Sequence, residues 1–120
     1  MVLLASCQKK EAGTAPVVQG SIDLEVHAVH HTWDVSGIFM YLKRNAADFP
    51  GTDSSIYDFK GQADGYGRMT FEHLYPGTYY VYASGYDSRW GDNVRGEQQV
   101  VLNGQTVVDN KATLTLYVSE

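Results

Sequence analysis

Cysteine, proline and basic residues are all scarce in this sequence of 120 residues. Its one cysteine cannot form an internal disulfide. Nine lysines and arginines stand against 14 aspartates and glutamates, which gives a net charge of -5. No basic surplus is therefore available to neutralise phosphates, and non-specific nucleic-acid binding is excluded. The sequence also lacks a nucleotide-binding loop, a dinucleotide fingerprint and a Ser/His/Asp or Cys/His arrangement, so no catalytic residue, cofactor or enzymatic activity is predicted.

No window shows the sustained 3.6-residue periodicity of an amphipathic helix. The chain instead has 12 glycines, nine tyrosines and short stretches in which apolar and polar residues alternate. In residues 21–29, for example, Ile22, Leu24, Val26 and Ala28 would face the core. We predict an all-β, single-domain antiparallel Greek-key β-sandwich of about seven strands. The clearest strands are residues 21–29, 38–42, 68–71, 78–85, 95–102 and 110–118.

The connections between these strands look like hairpins. Residues 21–29 and 38–42 are predicted to pair across a moderately long loop, and Asn103-Gly104 is a strong hairpin signal. Residues 63–87 are predicted to form the central hairpin, with a tight turn at Pro76-Gly77. In its second strand the side chains on one side face inward and Tyr80 and Tyr82 face outward; the inward ones are Tyr79, Val81 and Ala83.

The N-terminal segment carries a different kind of signal. Leu4-Ala5-Ser6-Cys7 matches the lipobox of bacterial lipoproteins, in which the cysteine is lipidated. Because only three residues precede the motif, either the printed start lies inside a longer signal peptide or the match is accidental. We predict a signal-peptide remnant in residues 1–7, a flexible tether in residues 8–19 and the β-sandwich in residues 20–120. Lipidation of Cys7 would anchor the protein to the bacterial cell envelope, at the outer membrane, with its periplasmic or surface exposure left open.

One motif resembles a known family of folds. The pattern D-x-x-G-x-x-x-F-x-x-L-x-P-G-x-Y is matched from Asp64 to Tyr79. It resembles prealbumin-like (transthyretin-like) sandwiches, which include carboxypeptidase regulatory-like domains and CNA-B or SpaA-type repeats of bacterial surface proteins. The resemblance extends over residues 20–118. It implies this sandwich fold, a structural or interaction role, and a tyrosine corner in which the Tyr79 hydroxyl returns to nearby backbone.

The sequence departs from the chemistry found in parts of that family. CNA-B domains often carry a Lys–Asn isopeptide bond, with the lysine on the first strand. Residues 21–29 contain no lysine. Glu72 could act as the acidic catalyst in the middle of the domain, and Asn110 could be the asparagine on the last strand. We therefore predict no isopeptide bond. The zinc peptidase domain that accompanies carboxypeptidase regulatory domains is also missing from the sequence.

The four histidines could in principle bind a metal. Zinc or copper requires three or four donors that converge at about 2 Å. His27 and His31 are separated by a predicted turn, His30 follows the first strand, and His73 lies in the corner. No metal site is predicted from this spacing. The acidic loop after residue 85 lacks the D-x-D-x-D-G spacing of a calcium site, so its carboxylates are predicted to make turn hydrogen bonds.

Aromatic side chains outside the predicted core give the strongest functional signal. The candidate binding surface consists of Trp33, Tyr80, Tyr82, Tyr86 and Trp90. Exposed aromatic residues stack on sugar rings or anchor protein partners. The first hypothesis is a non-enzymatic envelope lipoprotein whose sandwich is a structural or protein-interaction module. The alternative is a carbohydrate-binding accessory lipoprotein that uses the exposed Trp and Tyr residues. An enzyme or a metal-binding protein is the third hypothesis.

Overall fold

A computed structural model describes residues 20–120. The predictions for residues 1–7 and 8–19, including lipidation of Cys7, lie outside the described residues. Within residues 20–120, no helix has the length and apolar character needed to cross a membrane. The strands are β1 (Ile22–His30), β2 (Trp33–Asp34), β3 (Phe39–Arg44), β4 (Phe59–Gln62), β5 (Arg68–Leu74), β6 (Gly77–Asp87), β7 (Asp92–Leu102) and β8 (Lys111–Tyr117), with a 3₁₀ helix at Ser54–Ile56.

The strands form two sheets that pack as a β-sandwich. In the first sheet, β1 pairs with β5 in antiparallel and with β8 in parallel orientation, and the short β2 pairs with the end of β1. The second sheet has the order β4-β3-β6-β7 and is antiparallel throughout. The predicted all-β sandwich is confirmed.

The core lies between the inner faces of the two sheets. The predicted alternation in β1 is confirmed, because its even-numbered apolar side chains are fully buried. They pack in one cluster with residues of the second sheet, among them Met40, Leu42, Tyr79, Val81 and Ala83. Burial of each large apolar side chain stabilises the fold by about 1.5–3 kcal/mol. The spacing of apolar residues therefore determines which face of each strand is inside.

The three predicted hairpins are wrong. β1 and β3 belong to different sheets, as do β5 and β6, and β7 and β8. Asn103 does form a turn, in which its side chain accepts hydrogen bonds from the backbone N–H groups of Gln105 and Thr106. That turn leads the chain across to the other sheet. The alternation of apolar and polar residues could not reveal that consecutive strands lie in different sheets. A strand buries one face in the same way whether the next strand is in its own sheet or in the opposite sheet.

The predicted tyrosine corner is present where the chain crosses from β5 to β6. The buried Tyr79 donates its hydroxyl hydrogen bond to the carbonyl oxygen of Tyr75 at 2.7 Å. The same hydroxyl accepts a hydrogen bond from the backbone N–H of Tyr75 at 3.2 Å. One side chain thus satisfies both backbone groups of the residue that precedes Pro76.

The turn before β5 contains the first two fixed residues of the D-x-x-G-x-x-x-F-x-x-L-x-P-G-x-Y pattern, Asp64 and Gly67. The Asp64 carboxylate accepts hydrogen bonds from the backbone N–H groups of Arg68 and Tyr66. These two bonds lower the pKa of Asp64. Gly67 follows with a φ of 74° and packs against the backbone of β1 and of Val35. The aspartate and the glycine of the motif are therefore parts of a single turn.

Candidate functional site

One end of the sandwich collects most of the chemically distinctive side chains. The turn between β1 and β2, the turn at residues 88–91 between β6 and β7, and Glu120 meet there. The contacts that join them are a hydrogen bond from His30 to Asp87 and packing of His31 on Trp90, whose ring centroids are 4.4 Å apart. We call this region the histidine end.

A buried pair of titratable residues lies at the centre of the histidine end. His30 Nδ1 is 2.8 Å from Asp87 Oδ2, and both side chains are almost fully buried. Asp87 also accepts hydrogen bonds from the backbone of the turn, at Oδ1 from Arg89 N–H and at its carbonyl oxygen from Gly91 N–H. The predicted turn hydrogen bonds of this loop are thus present at Asp87. The hydrogen bond to Asp87 raises the pKa of His30, although burial opposes it.

The other ring nitrogen of His30 faces Glu120. His30 Nε2 is 3.1 Å from Glu120 Oε2, and His31 Nε2 is 3.7 Å from the same oxygen. A hydrogen bond from its own backbone N–H lowers the pKa of Glu120, and the charge of His30 adds to this effect. The exposed ring of His31 lies between the rings of His30 and Trp90. Two imidazoles and a carboxylate consequently present three donor atoms within 4.8 Å of one another.

This combination was not predicted from the sequence, although the strand patterns contain a partial signal for it. The inward alternation of β1 continues from Ala28 to His30, and that of β6 continues to Asp87. On the last strand, the same parity leads from Val118 to Glu120. His30 and Asp87 are buried at inward positions of β1 and β6, whereas Glu120 shares the parity of Val118 but is 48% exposed. Continuing the three patterns past their apolar residues would have placed a histidine and two carboxylates near the edge of one core.

The remaining histidines lie elsewhere. His27 Nε2 contacts Asp34 Oδ1 at 2.6 Å, on the outer face of β1. His73 is exposed and precedes Leu74, which pairs with Ile22 at the opposite end of β1. His27 and His31 therefore do not share a site.

Three of the five predicted aromatic residues lie on loops or strand ends around the histidine end. Trp33 and Trp90 are each 47% exposed, and Tyr86 is 58% exposed. The guanidinium carbon of Arg89 lies 4.0 Å from the centroid of the Trp33 ring. A cleft of about 100 Å³ adjoins them and is lined by Asp34, Ser36, Tyr86, Asp87, Ser88 and Arg89. Aromatic faces beside polar groups are suited to binding a protein side chain or a sugar ring.

The prediction that Tyr82 is exposed is wrong. Tyr82 points away from the core, as alternation requires, but it is only 5% exposed. The connection between β3 and β4 covers it, because Tyr57 and Phe49 pack on its ring at centroid distances of 5.8 and 5.6 Å. Tyr80 is half-buried beside the same Phe49. These two tyrosines form a second small core on the outer face of the second sheet and take no part in the histidine end.

The larger concave surface of the described chain lies elsewhere. A concavity of about 420 Å³ on the outer face of the first sheet is lined by Asp23, Glu25, Thr70, Glu72, Lys111, Ala112 and Thr113. It contains no aromatic ring, and its carboxylates lie on an open surface where water solvates them. The aromatic residues and the buried polar pair make the histidine end the better candidate site.

Comparisons with known proteins identify the fold. No protein-family model and no curated protein sequence matches the chain. It is similar to the major pilin subunit of Bacillus cereus, with a TM-score of 0.55 and 13% identity over 83% of this chain and 30% of the pilin. It is also similar to a proposed carbohydrate-binding protein from Pseudomonas aeruginosa, with a TM-score of 0.54 and 13% identity over 88% of this chain and 92% of that one. The chain thus spans less than a third of the pilin and nearly all of the second protein, and both similarities identify it as a β-sandwich.

Proposed function

We propose that the protein is a non-enzymatic interaction module of the bacterial cell envelope. The observation that carries the proposal is the grouping of Trp33, Tyr86 and Trp90, all about half exposed, with Arg89 at one end of a rigid sandwich. Trp, Tyr and Arg are the residue types that dominate binding energy in protein interfaces. The strand ends and short turns that present them are held by the His30–Asp87 pair, so little order has to be gained on binding.

The attachment to the envelope is the second part of the proposal. Lipidation of Cys7 would anchor the chain, and residues 8–19 would act as the tether between the membrane and the sandwich. Mass spectrometry of the full-length protein purified from its native membrane tests this directly. We expect a lipid-modified Cys7 and loss of membrane association in Cys7→Ser. An unmodified Cys7 would contradict the anchor while leaving the interaction surface untouched.

The interaction surface is tested by site-specific crosslinking in the native envelope. A photoreactive residue at position 33 or 90 should crosslink one reproducible protein partner. The same probe at Tyr75 is the matched control, because Tyr75 is 59% exposed but lies at the opposite end of the sandwich. With that partner purified, Trp90→Ala should weaken binding by about 2 kcal/mol, the size of a typical hot-spot residue. Equal crosslinking from position 75 would contradict the proposed surface.

A glycan is the second candidate ligand. The cleft beside Tyr86 carries Asp34, Ser88 and Arg89, which could hydrogen-bond sugar hydroxyls while an aromatic ring stacks on the sugar. The similarity to a proposed carbohydrate-binding protein from Pseudomonas aeruginosa adds support. Glycan-array binding that Trp33→Ala and Trp90→Ala abolish, and that Tyr75→Ala leaves intact, would favour this candidate over a protein partner.

A further inference from the structure

We propose that His30, His31 and Glu120 bind a divalent transition-metal ion of the zinc, copper or nickel class. This site lies beside the aromatic residues and does not depend on the proposed function. The spacing of the histidines in the sequence predicted no metal site, and a metal-binding protein was the third hypothesis. The proposed ligand atoms are Nε2 of each histidine and Oε2 of the glutamate, and the three residues each bring one donor atom within 4.8 Å of the others.

The spacing of the donor atoms fits a small metal ion. Bonds of 2.0–2.2 Å in tetrahedral geometry place neighbouring ligand atoms about 3.3 Å apart. Glu120 Oε2 is 3.1 Å from His30 Nε2 and 3.7 Å from His31 Nε2, which brackets this separation. Because His31 and Glu120 are about half exposed, small side-chain rotations can bring the three donors onto one ion.

His30 is held in the orientation that a metal ligand needs. Histidines that bind metals usually donate the other ring N–H to a carboxylate, which fixes the tautomer and the direction of the ring. Asp87 Oδ2 accepts that hydrogen bond from His30 Nδ1 at 2.8 Å, in a buried environment. Arg89 N–H in turn fixes the other oxygen of Asp87. The backbone of the turn therefore also holds Asp87, the residue that orients the proposed ligand His30.

The types of ligand decide the class of ion. Two imidazoles and one carboxylate suit zinc, copper and nickel, whereas magnesium and calcium prefer sets made of oxygen atoms. Both ring nitrogens of His30 face carboxylates. A metal-bound imidazole nitrogen carries no proton, so binding of the ion releases to solvent any proton that Nε2 holds. Three protein ligands leave further coordination positions for water or for a donor from a partner.

The test uses full-length protein without a histidine tag, stripped with a chelator and titrated with ZnSO₄ by calorimetry. We expect one zinc ion per chain and a thermal midpoint that rises with zinc concentration. Replacement of His30 could unfold the protein, because His30 is buried, so His31→Asn and Glu120→Gln are the diagnostic variants. Each should weaken zinc binding by at least about tenfold, since loss of even an outer-shell partner typically costs 10–100-fold.

The chain offers a closely matched control variant. His31 and His73 are both exposed, and both have a left-handed backbone, with φ of 59° and 62°. Asparagine tolerates this conformation, so His31→Asn and His73→Asn should both fold. His73→Asn should keep the affinity of the unmodified protein. The proposal is overturned if zinc does not bind at one per chain, or if His31→Asn and Glu120→Gln bind zinc as tightly as His73→Asn does.

Discussion

Gly67 and Ala28 approach so closely that a β-carbon on residue 67 would lie 2.9 Å from the carbonyl oxygen of Ala28. The backbone of Gly67 also makes two hydrogen bonds. Its N–H donates to the carbonyl oxygen of Asp64, and its carbonyl oxygen accepts a hydrogen bond from the N–H of Ala28. Because the obstacle is backbone on a central strand, it cannot move aside. The turn that opens β5 therefore requires glycine at this position.

We expect Gly67→Ala to lower the free energy of unfolding by about 2 kcal/mol or more. A left-handed φ alone costs a residue with a side chain about 1–2 kcal/mol, and the close contact with β1 adds to this. Gly65→Ala is the matched control in the same turn, because a β-carbon there would meet nothing within 4 Å. Urea denaturation of both variants measures the difference. Equal midpoints for the two would contradict the role assigned to Gly67.

The tyrosine corner gives a second prediction. Tyr79→Phe removes the hydroxyl that bonds both the N–H and the carbonyl oxygen of Tyr75, so we expect a loss of about 1–3 kcal/mol in unfolding free energy. Tyr86→Phe is the comparison, since its ring is largely exposed, and it should change stability by no more than about 0.5 kcal/mol. Thermal or urea unfolding measures both. If Tyr79→Phe were as mild as Tyr86→Phe, the corner would contribute nothing to stability.

The aromatic cluster over the second sheet predicts a pH dependence. Burial raises the pKa of Tyr57 from 10.0 to about 12, and the neighbouring Tyr82 adds to the shift. The unfolded chain thus loses this proton near pH 10 while the folded protein retains it. The stability that Tyr57 contributes is complete below pH 10 and is lost as the pH rises through about 12.

Urea midpoints measured across that alkaline range test this prediction. Tyr57→Phe should show a shallower decline of stability with pH than the unmodified protein. Tyr66→Phe should keep the steeper decline, because the Tyr66 side chain is 71% exposed and is not buried on folding. An unchanged slope in Tyr57→Phe would show that this tyrosine ionises in the folded protein as it does in the unfolded chain.

The sequence allowed prediction of the inner faces, the tyrosine corner and the class of fold, because each depends on spacing within a few residues. The pairing of the strands was harder to predict from the sequence. β1 pairs with β5, where Ile22 lies opposite Leu74, and it pairs in parallel with β8, so both pairings join distant parts of the chain. The alternation of apolar residues is the same for an antiparallel and for a parallel neighbour. The burial of Tyr82 depends on an irregular connection that has no periodic pattern.

The histidine end was predictable only in part. The exposure of Trp33, Tyr86 and Trp90 followed from their places in loops and at strand ends. His30 and Glu120 lie 90 positions apart in the sequence. The alternation of each strand indicates which side these residues take, but it does not indicate that the two strands lie next to each other. Interactions of this kind become visible only when the chain is folded.

The parallel pairing of β1 with β8 has a consequence for the order in which the domain can assemble. β1 is the first strand of the domain to be synthesised, and one of its two long partners is the last. Closing such a distant contact is entropically costly and slows folding. Until β8 arrives, β1 presents a row of unpaired backbone groups along one edge, which is a template for aggregation. A chain that is still being synthesised therefore has to be kept apart from its neighbours until β8 is available.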